Sequence, residues 1–548
     1  MRNTYLLVLF FLSSSVFAQN FKDYAKTPPM GWNSWNTFAK DISEAKVMSV
    51  ADAMVSTGLK DASYQYVVID DGWALERTND GTIVADPKKF PNGIKHLADY
   101  VHSKGLKFGI YTSPAAKTCG SCVGSLGHEE QDVRTYAAWG VDFIKLDGCG
   151  ADEGREVICK KWRAALDKVK HPIVLSIHLQ YDDVAFYSNY ANMWRTTNDM
   201  FPSWDLSMDQ QIHWRPVPVA LAIDMQQGLE EVQAPGTYND PDMLQVGNGS
   251  LTYEENKAHF SLWAILGSPL MLGNDLRNMD KQVMEIISNK EVTAINQDPL
   301  CYQGRKIYDS GIGQSKYEKD FGLQVYAKKL AVQGEYAVVL LNRSDYLNAM
   351  SVSWESLGLD PQKVTVRDLW QHKDLGSFEN KFETVIPSHS VIMIKVKGNA
   401  VGELKDTYPI VKDSLFIELE EVTLFRAVKG NYYHGFKGWG YMQFSGEPPT
   451  QYARLAVRIP EDGQYKVGLR YANPTGKTCN INVLSNNETV TIACPVPENA
   501  NFEFGYVGAA SYSTVFTKIN LKKGLNALKV TSNEMLTPLL DQLVLVKQ

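Results

Sequence analysis

Four short stretches carry acids and bases at spacings that can do chemistry: Asp70-Asp71, Lys145 with Asp147, Arg195 with Asp199, and Asp240 with Asp242. Lys145 and Asp147 stand two apart at the end of a β-rich run, so their side chains share a face and the ammonium favours an ionised carboxylate. That suits a nucleophile. Asp199 follows Arg195 by four residues at the end of another apolar run, within reach of a guanidinium that tunes or orients an acid/base carboxyl. Two carboxyl groups on opposite sides of a glycosidic bond are the minimal apparatus for cleaving it, and they need no cofactor. Carboxylates also hold hydroxyls by charge-assisted hydrogen bonds, and Trp, here Trp32 and Trp35, stacks on the apolar face of a pyranose. A single Asp after a strand is more often a helix cap than a catalyst; the convergence of several is what points to a sugar site.

Such convergence needs a scaffold. From Ala25 to about Leu300 the chain repeats a short apolar run followed by a helical pattern, which means α/β. The runs are Met30–Trp32, Tyr66–Ile69, Lys107–Tyr111, Val141–Leu146, Ile173–Ile177, Met193–Arg195, a segment ending at Asp240–Met243, and Pro269–Leu272. Eight units in about 275 residues match a closed (β/α)8 TIM barrel, whose reacting groups project from the carboxyl ends of the strands. The acids above all fall there. After Cys301 short alternating segments predict an antiparallel β-sandwich over 301–397, a polar linker over 398–414, and a second β-sandwich over 415–548.

Composition narrows the function further. The 548 residues carry a formal charge of −7 and no long basic run, which removes the electrostatic footprint of a nucleic-acid binder. Residues 1–18 combine Arg2, an apolar stretch from Tyr5 to Leu12 and small residues at Val16 and Ala18, the pattern of a secretory signal cut after Ala18. The stretch is far short of the ~20 residues a membrane span requires, so export rather than membrane insertion is expected, into an oxidising compartment. Oligomeric state is not legible in the sequence.

The motifs TPPMGWNSW (27–35), IDDGW (69–73), KLDGC (145–149), WRTTND (194–199), YNDPDML (238–244) and INQDPL (295–300) together resemble glycoside hydrolase family 27, whose commonest members are α-galactosidases. The resemblance implies a retaining exo-glycosidase acting on terminal α-galactosyl residues of a galactose-containing glycan, with Asp147 as nucleophile and Asp199 as general acid/base. It also implies that Asp70 and Asp71 bind the 4- and 6-hydroxyls, that Lys145 and Arg195 bind ring hydroxyls, and that Trp35, Tyr111 and Asp242 line the pocket. It further implies a disulfide between Cys119 and Cys149. For the sugar 2-position the best fit takes Gln180, with His178 as the alternative. Rivals are an α-N-acetylgalactosaminidase or β-L-arabinopyranosidase of the same family, or a noncatalytic sugar-binding barrel. Asp70-Asp71 argues against the arabinopyranosidase, and intact Asp147 and Asp199 against the dead barrel.

Other cysteines leave alternatives. Cys122 and Cys159 are free or paired to each other, Cys301 has no evident partner, and Cys479 and Cys494 flank a turn at Asn486-Asn487 that sets them opposite one another, a candidate cross-strand pair. The last domain has motifs IELEEVTL (417–424), RIPEDGQYKVGLRYAN (458–473), LKKGLNALKV (521–530) and LDQLVL (540–545), which resemble carbohydrate-binding modules of families 6 and 35. That resemblance implies a structural Ca²⁺ held by Glu418, Glu420 and Asp541; oxygen-only ligands suit this hard cation.

Overall fold

Along the helix Gly93–Ser103, Ile94, Leu97, Ala98 and Val101 recur at intervals of three and four and all are buried, a stripe that packs against the strand Lys107–Thr112. The barrel is built from repetitions of this arrangement. The computed structural model describes residues 20–179, 184–205, 216–311, 322–433, 435–446, 448, 450–485, 488–498 and 511–548.

Eight strands form the central sheet: β1 (Met30–Asn33), β2 (Tyr66–Val68), β3 (Lys107–Thr112), β4 (Phe143–Asp147), β5 (Val174–His178), β6 (Met193–Arg195), β7 (Tyr238–Asp240) and β8 (Leu270–Leu272). They pair in parallel in chain order, with β8 returning beside β1. Between β7 and β8 the ring is joined by one backbone bridge, Leu244 to Leu272, with the Leu244 amide donating to the Met271 carbonyl at 2.8 Å. Gly31 sits where β1 and β2 approach so closely that a Cβ would overlap the Tyr66 backbone. A hairpin of Ala74–Arg77 and Ile83–Ala85 is inserted after β2. This is the expected (β/α)8 barrel, and the strand ends carry the acids.

The strand expected from Val141 starts later, at Phe143. Gly140 closes the preceding helix in the left-handed conformation, and the Val141 amide donates back to Tyr136, so Val141 belongs to the helix cap.

After the barrel, six antiparallel strands (Arg305–Asp309, Leu323–Lys329, Glu335–Asn342, Ser390–Lys397, Val364–Asp368 and Lys373–Phe378, in that spatial order) face the pair Asn348–Ser353 and Lys381–Ile386. Val338, Leu340, Trp354, Phe382 and Ile394 fill the space between. Met350 and Val352 point inward while Ala349 and Ser351 alternate outward, the period of a half-buried strand.

The final unit is a second sandwich, with Val457, Val467, Leu469, Val483, Val530 and Leu543 in its core. Its opening strand, Ser414–Glu418, pairs with its closing strand, Leu539–Lys547. The expected strand over Ile417–Val422 therefore ends at Glu418, and Leu419–Glu421 make a 3-10 turn instead. Cys479 and Cys494 stand directly opposite, as the spacing required, and both are free thiols, as are Cys122, Cys159 and Cys301. The turn at Asn486-Asn487 lies outside the described residues.

The stretch 398–414 runs over the surface of its neighbours. Tyr408 is buried there, its hydroxyl donating to the Glu230 carboxylate and accepting from the Gly228 amide at 3.2 Å. Gly228 has φ +83°, and a Cβ on it would meet Ala456 at 2.8 Å and Ala527 at 3.0 Å, so a glycine is what lets the last sandwich seat against the barrel. Arg454 donates to the Met225 carbonyl at 2.7 Å and Arg458 to Glu231 at 3.1 Å across the same seam. Arg343 of the middle sandwich pairs with Asp224 at 2.8 Å. Among the described residues no helix is long and apolar enough to cross a membrane.

Candidate active site

At the carboxyl end of β2, Asp70 and Asp71 are both buried and held differently. Asp70 Oδ2 accepts from Asn33 Nδ2 and from Lys145 Nζ, each at 2.8 Å, and its Oδ1 accepts from the Asp71 amide. Asp71 accepts from Thr118 Oγ1 at 2.8 Å and from the Gly120 amide, both on the loop after β3. An ionised carboxylate has about four acceptor positions, so each keeps capacity for a hydroxyl.

The same loop is fastened by a disulfide between Cys119 and Cys149, the bond the resemblance implied. Tyr111, on β3, is buried; its ring lies 5.3 Å beneath the Lys145 ammonium and its hydroxyl donates to Cys119 Sγ at 3.1 Å. Burial, then the charges of Asp147, Asp70 and Asp71, push that phenol far up, so it stays a neutral donor. Trp35, half-buried, opens the short helix Trp35–Phe38 directly after β1, with its amide bonded to Asn33 Oδ1.

Asp147 ends β4 and is nearly enclosed. Burial alone works against its ionisation, but His178, Lys145 and Arg195 together hold the carboxyl well below the usual range. Asp199, beyond β6, is half-exposed, and Arg195 Nη1 lies 3.1 Å from its Oδ1 and 2.9 Å from Asp242 Oδ1. Burial again opposes ionisation of Asp199; Arg195, His178 and Lys145 outweigh it, and the nearby Asp147 pushes back.

Asp242 has φ +96°, an uncommon conformation for a residue with a side chain, fixed by Trp263 Nε1 on its carbonyl at 2.9 Å and by its Oδ2 accepting from the Met200 amide at 2.7 Å. Burial raises its carboxyl, and it raises Asp240, beneath it, to about 6.

Thus Trp35, Asp70, Asp71, Tyr111, Lys145, Asp147, Arg195, Asp199 and Asp242 gather at one end of the barrel. Gln180 lies outside the described residues. His178 is in the site, beside Asp147. Asp240, paired with Asp242 in the sequence, lies beneath it, whereas Asn33, Ser34 (whose Oγ accepts from the Asp70 amide at 2.9 Å) and Thr118 are supports that the acid-and-base spacing alone does not mark. Asn33 in GWNSW was the recoverable signal, a polar residue ending an apolar strand.

Two family models match the chain: Alpha galactosidase A over residues 27–298 and Alpha galactosidase C-terminal beta sandwich domain over 320–396. A curated relative named Alpha-galactosidase A, from Cellvibrio japonicus, is 40% identical over 399 residues, covering 70% of this chain and 95% of its own. The chain belongs to glycoside hydrolase family 27. This family's α-galactosidase from Cyamopsis tetragonoloba is 41% identical over 377 residues, covering 67% of this chain and 85% of the relative. The crystal structure of α-galactosidase I from Mortierella vinacea superposes with a TM-score of 0.63 at 34% identity, over 69% of this chain and 98% of that one. Both family 27 models stop short of the final sandwich.

In that sandwich, Glu420 is buried and its Oε1 accepts from the amides of Trp439 and Gly440 at 3.0 and 3.1 Å. Glu418 Oε1 accepts from Gln542 at 2.6 Å. The remaining oxygen of each glutamate is buried with no hydrogen-bond partner among the described residues. Two orphaned carboxylate oxygens are what a hard cation would satisfy. Asp541, the third expected ligand, is buried and ion-paired to Arg470. Of the nearby aromatics, Tyr441 is core with Tyr433 and Phe436 packed on it, whereas Tyr432 and Trp439 are 66% and 73% exposed.

Proposed function

We propose that the protein is a retaining α-galactosidase in which Asp147 attacks the anomeric carbon and Asp199 protonates the departing oxygen. The observation that carries this reading is the contrast between two neighbouring carboxyls. Both carboxyls are held below the usual range in the free protein; what separates them is that Asp147 is enclosed, while Asp199 opens to solvent, where a leaving group departs, water enters and a proton can reach it. Asp147 forms its bond to C1 as the glycosidic C1–O bond breaks, and the proton of Asp199 goes to the leaving oxygen. Asp147 is then an ester without charge, which removes its repulsion of Asp199. The Asp199 carboxyl falls further and takes a proton from water as water displaces Asp147. No cofactor enters.

The Asp70–Lys145–Asp71 array offers both acceptors and a donor to hydroxyls of a galactose-configured sugar with a free 6-hydroxyl. Proton NMR of the first sugar released from an aryl α-galactoside tests the mechanism: the α-anomer must appear first, and a β-anomer would remove Asp147 from the nucleophile role.

The final sandwich is read as a carbohydrate-binding-like module with a Ca²⁺ site. The orphaned oxygens of Glu418 and Glu420 support it; the cation would be held by these two, with Asp541 joining only on leaving Arg470. Its chemistry is structural: it would fasten the opening strand to the turn that follows it, and the closing strand as well once Asp541 joins. Chelation should lower the melting temperature of the full chain and leave turnover of a small aryl glycoside unchanged. The leader pattern of residues 1–18 and the Cys119–Cys149 bond support export.

A further inference from the structure

We propose that His178 is a positioning residue shared by the two reacting carboxyl groups, its imidazole stationed between Asp147 and Asp199. The inference rests on the roles assigned above to those two acids.

Register places it there. Asp147 and His178 are Cα partners on the adjacent parallel strands β4 and β5, so their side chains project on the same face into the barrel mouth. Nδ1 of His178 lies 3.4 Å from Asp147 Oδ2, and Nε2 lies 3.9 Å from Asp199 Oδ1. One ring nitrogen thus addresses the nucleophile and the other the acid/base. The ring is 8% exposed, and Gly148, which follows Asp147, donates its amide to the His178 carbonyl at 2.9 Å, so the backbone on both sides is fixed.

The charged groups around it come from every neighbouring element. Lys145 and Asp147 stand on β4, Arg195 and Asp199 on and after β6, Asp240 and Asp242 on and after β7, Tyr111 on β3, and Asp70 and Asp71 after β2. Among the described residues, carboxyl groups outnumber the permanent cations Lys145 and Arg195 there. His178 sets an imidazole among them with one ring nitrogen turned toward each reacting group.

Its use follows from the reaction. Before bond cleavage the negative charge sits on Asp147; after it, Asp147 is esterified and the charge sits on Asp199, which has given up its proton. The charge crosses from one face of the imidazole to the other while the ring stays in place. A group preorganised toward both charge positions stabilises the step without reorganising. Each carboxyl is also held lower by His178 than it would be without it, as the direction of both shifts agrees.

The test is the pH dependence of kcat and kcat/KM on an aryl α-galactoside for His178→Gln, with His178→Asn as a second variant, alongside thermal melting of each. Gln offers a neutral polar side chain in the same place. The expected result is a folded variant with kcat reduced about tenfold, KM within about twofold, and both limbs of the bell displaced upward by about half a pH unit. A loss of kcat with both limbs unmoved, or an unaltered enzyme, overturns the proposal. So does a raised KM with kcat and both limbs unchanged, which would make His178 a substrate contact. If Gln prevents folding, Asn is read by the same criteria. Asp147→Asn in the same assay separates the two levels: turnover surviving there refutes the nucleophile assignment, whereas a dead Asp147→Asn with an unmoved His178→Gln profile refutes only the role of His178.

Discussion

The Lys145 ammonium lies 2.8 Å from Oδ2 of Asp70, not in hydrogen-bond contact with Asp147 two residues along the same strand. It therefore fixes a hydroxyl-binding carboxylate directly and acts on Asp147 through space. Lys145→Ala should raise KM and lower kcat together, with kcat/KM down by roughly 10². Its loss also makes Asp147 easier to protonate, so the acidic limb of the rate profile should move toward neutral pH. A variant with an unmoved acidic limb would confine Lys145 to binding.

Asp147→Asn should abolish turnover of every galactoside. Asp199→Asn should keep measurable activity on aryl glycosides with good leaving groups, which need little protonation, and lose roughly 10² or more on an oligosaccharide. Equal losses on the two substrate types, measured as kcat/KM, would take Asp199 out of the acid/base role.

The Cys119–Cys149 bond closes a loop with a sequence separation of 30 residues, and Cys119 sits between the two residues that hold Asp71. Replacing both cysteines with Ser should cost about 3–4 kcal/mol of stability by loop entropy and also raise KM severalfold, because Thr118 and Gly120 lose their anchor. Denaturant melts and steady-state kinetics check the two halves separately. Unchanged KM would mean that the loop holds Asp71 without the bond.

Glu230 is buried under Tyr408, and burial raises its carboxyl from 4.5 to about 7. Between those values the folded chain holds a proton that the unfolded chain has released, so stability falls as pH rises through that window and is lowest above it. Glu230→Gln removes the penalty. At pH 8 the variant should be more stable than the wild type by roughly 3 kcal/mol and melt at a higher temperature, and at pH 4 the two should melt together. Parallel melting curves across this range would show that Glu230 titrates normally.

The barrel and its reactive end were legible because parallel strands buried on both faces read as unbroken apolar runs, with the polar residue after each run marking its carboxyl end. Supports of the site were not. Asn33 reaches Asp70 only through the β1–β2 register, which sequence spacing does not contain. Val141 looked like strand because it is β-branched, yet the Gly140 cap claims its amide. Glu418 and Glu420 alternate as strand residues do, but the amides of Trp439 and Gly440 draw Glu420 inward and the chain turns there. For Asn33 and Glu420 a contact distant in sequence decided the outcome, and for Val141 the neighbouring helix cap did.

The seating of the last sandwich at Gly228 changes how the protein travels. A flexible tether would let a module search a volume whose radius grows with the square root of linker length, with the barrel trailing at a variable distance. Tyr408 within the connection, and Arg454 and Arg458 on the sandwich itself, cancel that freedom by bonding to the barrel loop that carries Met225, Glu230 and Glu231. Whatever surface the sandwich rests on, the barrel mouth then stands at one offset and one heading from it. Access to a glycan is consequently a matter of approach angle for the whole body, and rotational diffusion of a single object sets how often that angle is sampled.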